Sequence, residues 1–207
     1  MAKRAYSPLE IASRKYKRIP WGENWSLPFG EPELNETWFI GGQSASGKSS
    51  FVMQLAKELC RFGKVLYLSL EEGVSATFQE RITRFDMASE QGKFKVLTEV
   101  SLEDLTERMS RPKSPQFVIV DSFQFTGWTY EQTRNLIDSF PSKSFIFVSQ
   151  EYKGQPMGKA AVRLRYKSGI KIRTVGYRAY CQGRYSEDSG SFYTIWNEGA
   201  VRVWSND

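Results

Sequence analysis

The sequence predicts an α/β fold in which a mainly parallel sheet is covered by helices on both faces. From residue 37 onward, short apolar runs alternate with stretches whose apolar residues recur at helical spacing. That is the pattern of strands joined by crossover helices. The chain has 207 residues, 40% hydrophobic and 14% aromatic, enough for one such domain with a sizeable core and too few for two. The first strand-to-helix connection is a glycine- and serine-rich loop, Gly41-Gly-Gln-Ser-Ala-Ser-Gly-Lys-Ser-Ser50.

Taken in chain order, Ser7-Pro8-Leu9-Glu10 joins an N-cap, a proline at the first helical position and a capping-box acid. It predicts a short helix to about Arg18, closed by Pro20. Residues 21–36, with Pro28, Gly30 and Pro32, read as turns. Residues 1–20 are accordingly expected to form a basic arm or linker helix, and residues 21–207 a single domain. Thr37–Ile40 reads as a strand. Phe51, Val52, Leu55, Ala56, Leu59 and Phe62 mark a helix that Gly63 closes. Val65–Leu70 is a strand by composition, Phe78, Ile82 and Phe85 mark a second helix, and Phe94–Leu97 is a short strand. Ser101-Leu-Glu-Asp104 starts a third helix with another capping box, Phe117–Val120 is a strand, Thr129-Tyr-Glu-Gln132 caps a helix through Phe140, and Phe145–Val148 is a strand. Beyond residue 170 the runs Ile170–Val175, Tyr177–Gln182, Ser191–Trp196 and Val201–Trp204 read as short strands, an antiparallel C-terminal extension of the sheet.

Composition excludes several chemistries. There is no histidine, which removes imidazole bases, His-metal sites and Ser-His-Asp triads. The two cysteines, Cys60 and Cys181, are too few for a four-cysteine zinc site. No run approaches 18 apolar residues, and Met1-Ala-Lys-Arg-Ala-Tyr lacks the apolar core of a signal peptide. A soluble, cytoplasmic protein without a membrane partner is expected. The formal charge is +6, but residues 1–20 carry net +5 and residues 151–185 net +8, leaving the remainder at net −7. Two basic clusters on an otherwise acidic chain favour a polyanion partner.

The loop fits G-x-x-x-x-G-K-[ST] from Gly42 to Ser49. Gly42, Gln43, Ser44, Ala45, Ser46, Gly47, Lys48, Ser49 and Ser50 are the candidate phosphate-binding residues. Their backbone N–H groups would point inward at the positive end of the following helix. Lys48 would reach the β- and γ-phosphates, and Ser49 would give its hydroxyl to Mg²⁺. Phe117-Val-Ile-Val-Asp121 places a carboxylate at the C-terminal edge of a central strand, where ligands of open α/β sheets lie. Asp121 is the second candidate for Mg²⁺, through water. Glu71 and Glu72 follow the strand after the phosphate-loop helix, so either could accept the proton of an attacking water. Glu71 continues that strand more directly. A glycine-rich turn, an apolar run ending in Asp and a solvated strand end are each ordinary alone; their succession in this order predicts a nucleoside triphosphate site.

With these residues in place, the chain resembles the RecA-like P-loop ATPases, closest to the branch of bacterial RadA, the DnaB-type helicases and KaiC, from about residue 28 onward. Ser69-Leu70-Glu71 resembles the DnaB segment bearing the catalytic glutamate, and Glu71-Glu72 the glutamate pair of RadA and KaiC. Asp121-Ser-Phe-Gln124 resembles the Walker B continuation of RadA. Phe145-Ile-Phe-Val-Ser-Gln150 is similar to the strand whose last polar residue senses the γ-phosphate, which implies that role for Gln150. The following loop, roughly Glu151–Ser168, lies where these motors contact DNA. It carries Lys153, Lys159, Arg163, Arg165 and Lys167, with Tyr152 and Tyr166 available to stack on bases. A shorter loop, Gln124–Thr129, corresponds to a second DNA-facing loop, where Phe125 and Trp128 could equally be core or interface residues. Gln182-Gly-Arg-Tyr-Ser186 stands where the relatives have a lysine and an arginine that reach a neighbouring subunit. Arg184 is retained as a finger candidate, and Gln182 replaces the lysine, which implies slower turnover.

The resemblance implies an ATPase with ATP and Mg²⁺ as ligands, coupled to DNA (single-stranded preferred) in recombination, repair or replication. A homo-oligomeric ring or filament would let Arg184 act between subunits. The basic arm could dock on a neighbour or contact phosphates directly. The alternatives are a KaiC-like ATP-dependent switch or scaffold with a protein partner, and a small-molecule phosphotransferase. The strand-rich C-terminal third and the glutamate pair argue against the latter.

Overall fold

The computed structural model describes residues 4–186 and 190–205. Its strands are β1 (Thr37–Gly42), β2 (Val65–Ser69), β3 (Phe94–Leu97), β4 (Phe117–Asp121), β5 (Ser144–Tyr152), β6 (Gln155–Pro156), β7 (Ile170–Val175), β8 (Arg178–Cys181) and β9 (Phe192–Thr194). They form one sheet in the order β3-β2-β4-β5-β1-β7-β8-β9, with β6 folded back onto β5. All neighbours from β3 to β7 are parallel, and β8 and β9 add antiparallel. Ile170–Val175, expected in the antiparallel part, instead extends the parallel sheet beside β1.

The helices are α1 (Pro8–Ala12), α2 (Glu23–Phe29), α3 (Lys48–Leu59), α4 (Ala76–Arg84), α5 (Leu102–Ser110), α6 (Tyr130–Ser139), α7 (Lys159–Lys167) and α8 (Asn197–Trp204). Alternation along the strands separates two cores, because successive side chains point to opposite faces. On one face Trp38, Ile40, Tyr67, Ile119, Ile146 and Val148 pack under α2, α3 and α4. On the other Phe39, Leu68, Val118, Val120, Phe145 and Phe147 pack under α5, α6 and α7. Strands buried on both faces read as continuous apolar runs, which is how β2, β4 and β5 appear. Among the described residues no helix is long and apolar enough to cross a membrane.

Several elements differ from expectation. The N-terminal helix has its full capping box but stops at Ala12 rather than near Arg18. It buries no residue, so no packing carries it past its capped first turn. Residues 21–36 are not all turns: α2 places Trp25 and Phe29 in the core four residues apart, beside Trp21. Pro28, read as a turn signal, lies within its last turn. At Ser101 only half the box forms, with the hydroxyl accepting from the Asp104 N–H at 3.0 Å. Val201–Trp204 is helix rather than strand. Ala200 is buried, the Trp204 indole donates to the Gly176 carbonyl at 3.0 Å, and these anchors fit a helical repeat rather than alternation. Only Phe192–Thr194 of the expected strand 191–196 pairs.

The expected loop 151–168 is also regular. After the β5–β6 hairpin, α7 buries Ala161 and Leu164 three residues apart. Its basic side chains are thereby divided. Arg163 pairs with Glu131 at 2.7 Å and covers the Tyr130 ring at 4.0 Å, and Lys167 pairs with Asp138 at 3.3 Å, both across to α6. Lys159 and Arg165 have no acidic partner among the described residues, and Lys153 lies over the Tyr152 ring at 5.5 Å.

Candidate functional site

β1 ends at Gly42, and the loop Gln43–Gly47 turns the chain into α3, whose N-terminus faces back over the sheet edge. Gly47, the N-cap, adopts φ 91°, a conformation only glycine takes without strain. Gly42 has a different reason: a Cβ there would lie 2.1 Å from Thr174 Oγ1. Thr174 on β7 fixes the loop. Its hydroxyl donates to the Gly41 carbonyl at 3.3 Å and accepts from Ser46 at 2.7 Å.

A cavity of about 480 Å³ opens beside this loop. Gln43, Ser44, Ala45, Gly47, Lys48, Ser49 and Ser50 border it, as do Glu71, Glu72, Asp121 and Gln150. Gly42 and Ser46 lie behind it, packed on Thr174. Residues from four separate stretches of sequence thus meet at one edge of the sheet.

Lys48 donates from Nζ to the Gly42 carbonyl at 3.1 Å. Burial pushes its ammonium below the usual lysine value, opposed by Asp121, Glu71 and Glu151. Asp121 is buried and shifted upward, first by burial; Glu71 adds to the rise, while the Tyr67 hydroxyl, Lys48 and Arg81 oppose it. The Tyr67 hydroxyl hydrogen-bonds Asp121 Oδ2. Desolvation therefore works against both charges, and a polyanion with its cation would relieve both.

The two glutamates have separate surroundings. Glu71 accepts from Gln150 Nε2 at 2.7 Å and from Ser122 Oγ at 2.9 Å, one bond on each carboxylate oxygen. Glu72 turns to α4, where it pairs with Arg81 and accepts from Thr77 Oγ1 at 3.1 Å. Gln124 staples the exits of β4 and β5: its amide nitrogen donates to Ser149 Oγ at 2.8 Å and to the Met157 carbonyl at 2.9 Å, and its oxygen accepts from the Gln150 N–H at 3.2 Å. Trp128 is buried in the second core, whereas Phe125 is exposed.

Sequence reasoning missed Tyr67, Ser122, Gln124, Thr174 and the buried Glu151, which pairs with Arg173 at 3.3 Å. A lone hydroxyl within Val65-Leu-Tyr-Leu-Ser69 was the available signal for Tyr67.

Arg184 does not border the cavity. Its N–H donates to the Gly169 carbonyl, and the Gly169 N–H to that of Thr37, at the start of β1. The length of β1 separates that end from the phosphate loop by roughly 17 Å.

Neither a family model nor a curated protein matches the sequence. Solved structures do match. The flagellar accessory protein FlaH from Methanocaldococcus jannaschii is similar over 87% of this chain and 92% of its own, with 15% identity and a TM-score of 0.61. The ATPase domain of a DnaB-like helicase is similar over 68% of this chain and 69% of its own, with 15% identity and a TM-score of 0.50. The shared property is the fold. The architecture is that of a RecA-like P-loop NTPase.

Proposed function

We propose that this chain binds and hydrolyses ATP and acts on DNA, in the branch of RadA, the DnaB-type helicases and KaiC. The observation that carries the hydrolytic part is the double hydrogen bonding of Glu71 by Gln150 and Ser122 at the cavity that Lys48 borders. A glutamate held from two strands is an oriented base, and orientation is what catalysis of phosphoryl transfer demands.

In this reading the loop N–H groups and Lys48 hold the triphosphate. Ser49 and Asp121 would hold Mg²⁺. Both are hard oxygen donors bordering the cavity, and Asp121 forms no ion pair among the described residues, so the donor set fits that ion. Bound there, Mg²⁺ would neutralise charge on the phosphate oxygens. Glu71 accepts a proton from a water whose oxygen attacks the γ-phosphorus, and the bond from that phosphorus to the β–γ bridging oxygen breaks, releasing ADP and phosphate. Gln150 gives up its bond to Glu71 or shares it with phosphate oxygen, and Gln124 couples that change to Met157 and the start of α7.

The DNA part is supported by Lys153, Lys159 and Arg165, which have no acidic partner among the described residues, and by exposed Tyr152 and Tyr166. Arg184 acts between subunits of a ring or filament. The test is ATP turnover with and without single-stranded DNA, together with a mass measurement in nucleotide, using Lys48→Ala as the inactive control. Stimulation by DNA with nucleotide-dependent assembly is expected. A second reading, an ATP-controlled switch with a protein partner, is favoured by the pairing of Arg163 and Lys167 with α6 acids. Assembly that ignores DNA would select it.

A further inference from the structure

Among the described residues bordering the cavity there is one aromatic ring, Tyr177. It stands in the two-residue turn between β7 and β8, where Val175 pairs with Arg178 and both turn residues have positive φ, 52° at Gly176 and 60° at Tyr177. This is a type I′ hairpin, whose positions favour Asn, Asp and Gly. A bulky ring at positive φ is an outlier that points to a use for the ring. The turn is also tied down: the Tyr177 N–H donates to the Ser46 carbonyl at 3.2 Å, and its carbonyl accepts from the Ile195 N–H at 2.9 Å.

The ring is braced on several sides. A Cβ at Gly47 would lie 3.0 Å from Cδ1 and one at Gly199 would lie 2.7 Å from Cδ2, so two glycines give it room. Trp196 meets it edge to face, with centroids 5.0 Å apart at 84°. Trp196 remains 43% exposed, with the Arg202 guanidinium 5.6 Å from its ring.

Strand order gives the direction. Glu71, Asp121 and Gln150 follow or end β2, β4 and β5, on one side of β1, and Tyr177 follows β7 on the other. β4 is two strand spacings from β1, about 10 Å, and β7 one spacing, about 5 Å. A nucleoside triphosphate lying over the loop with its γ end at the acids therefore brings its base to Tyr177.

We infer that Tyr177, braced by Trp196, is a stacking platform for the base of a purine nucleoside triphosphate. The inference rests on the nucleotide-site reading and adds its base subsite. A ring face recognises π-surface rather than the donors and acceptors at the base edge, so purines are favoured by area.

Calorimetric titrations in Mg²⁺ with the β,γ-imido analogue of ATP and with inorganic tripolyphosphate test it. The variants are Tyr177→Asn, which suits the left-handed turn but removes the ring, and Tyr177→Phe, which keeps the ring. Tyr177→Asn should weaken the nucleotide about tenfold, the size of one lost base stack. It should leave tripolyphosphate affinity and the thermal midpoint unchanged, and Tyr177→Phe should bind both ligands as the native chain does. Equal weakening of both ligands, or undiminished nucleotide affinity in Tyr177→Asn, would overturn the platform alone. A native chain that binds neither ligand would overturn the nucleotide site and the platform with it.

Discussion

Gln150 donates its side-chain amide to Glu71 at 2.7 Å across the end of β4, joining residues 79 positions apart. Ser122 reaches the other carboxylate oxygen at 2.9 Å. Glu71 is thus fixed in the plane of its own carboxylate by neutral donors. These leave its negative charge intact, which a cationic partner would have partly cancelled. Glu72, one residue on, has such a partner in Arg81. The structure therefore separates two glutamates that adjacency alone leaves equivalent.

Glu71→Gln should keep nucleotide affinity and lower turnover by about 10²–10⁴, the usual contribution of a positioned base. Gln150→Ala should lower kcat less and leave KM nearly unchanged, since it orients the base rather than binding substrate. Steady-state kinetics on both variants provide the comparison; Glu72→Gln exceeding Glu71→Gln would reverse the assignment.

Tyr67→Phe removes a hydroxyl that hydrogen-bonds a buried carboxylate. A bond of this kind contributes about 1.5–3 kcal/mol. Urea unfolding of the nucleotide-free protein should show a loss of that order. Mg²⁺ and nucleotide should recover part of it, because they give Asp121 a new partner.

Charge reversal at Lys159 and Arg165 should weaken single-stranded DNA binding and flatten its salt dependence. Reversal at Arg163 should do less, since Glu131 already takes up that charge. Binding measured at several salt concentrations would show the ranking. An identical effect at Arg163 and Arg165 would mean that the α6 acids do not compete.

Burial pushes the Cys60 thiol up to about 12 and the Cys181 thiol up to about 11. Raised values favour the neutral thiol in the folded chain. Their contribution to stability is present in full below pH 9 and is lost as pH climbs toward 11 to 12. At pH 8 the Cys181 thiolate fraction is roughly one in a thousand. Both cysteines should therefore react with an aromatic disulfide slowly in the native protein and rapidly in urea.

What was legible in the sequence was local. Gly42 to Ser49 announce themselves within eight residues, and Asp121 closes a run of four apolar ones. The contacts that give those residues their roles were not legible, because they depend on register. Tyr67 pairs with Ile119, which puts it on the same face as Asp121 and diagonal to it; nothing in either strand alone states that offset. The alternation of Val201 and Val203 imitates a strand, and the helix becomes apparent only through what Ala200 and Trp204 touch. In the α7 region the apolar spacing Ala161–Leu164 is present, but the likeness to a DNA-contacting loop outweighs it.

The hydrogen-bond chain Arg184–Gly169–Thr37 anchors the guanidinium-bearing residue to the opposite end of the strands from Lys48. No flexing of a single copy shortens a paired strand, so any help Arg184 gives to catalysis comes from a different molecule. Turnover per mole of chain would then fall on dilution, with an apparent kinetic order above one, and Arg184→Ala would remove that concentration dependence. An activity strictly proportional to protein at every concentration would assign Arg184 a purely architectural task.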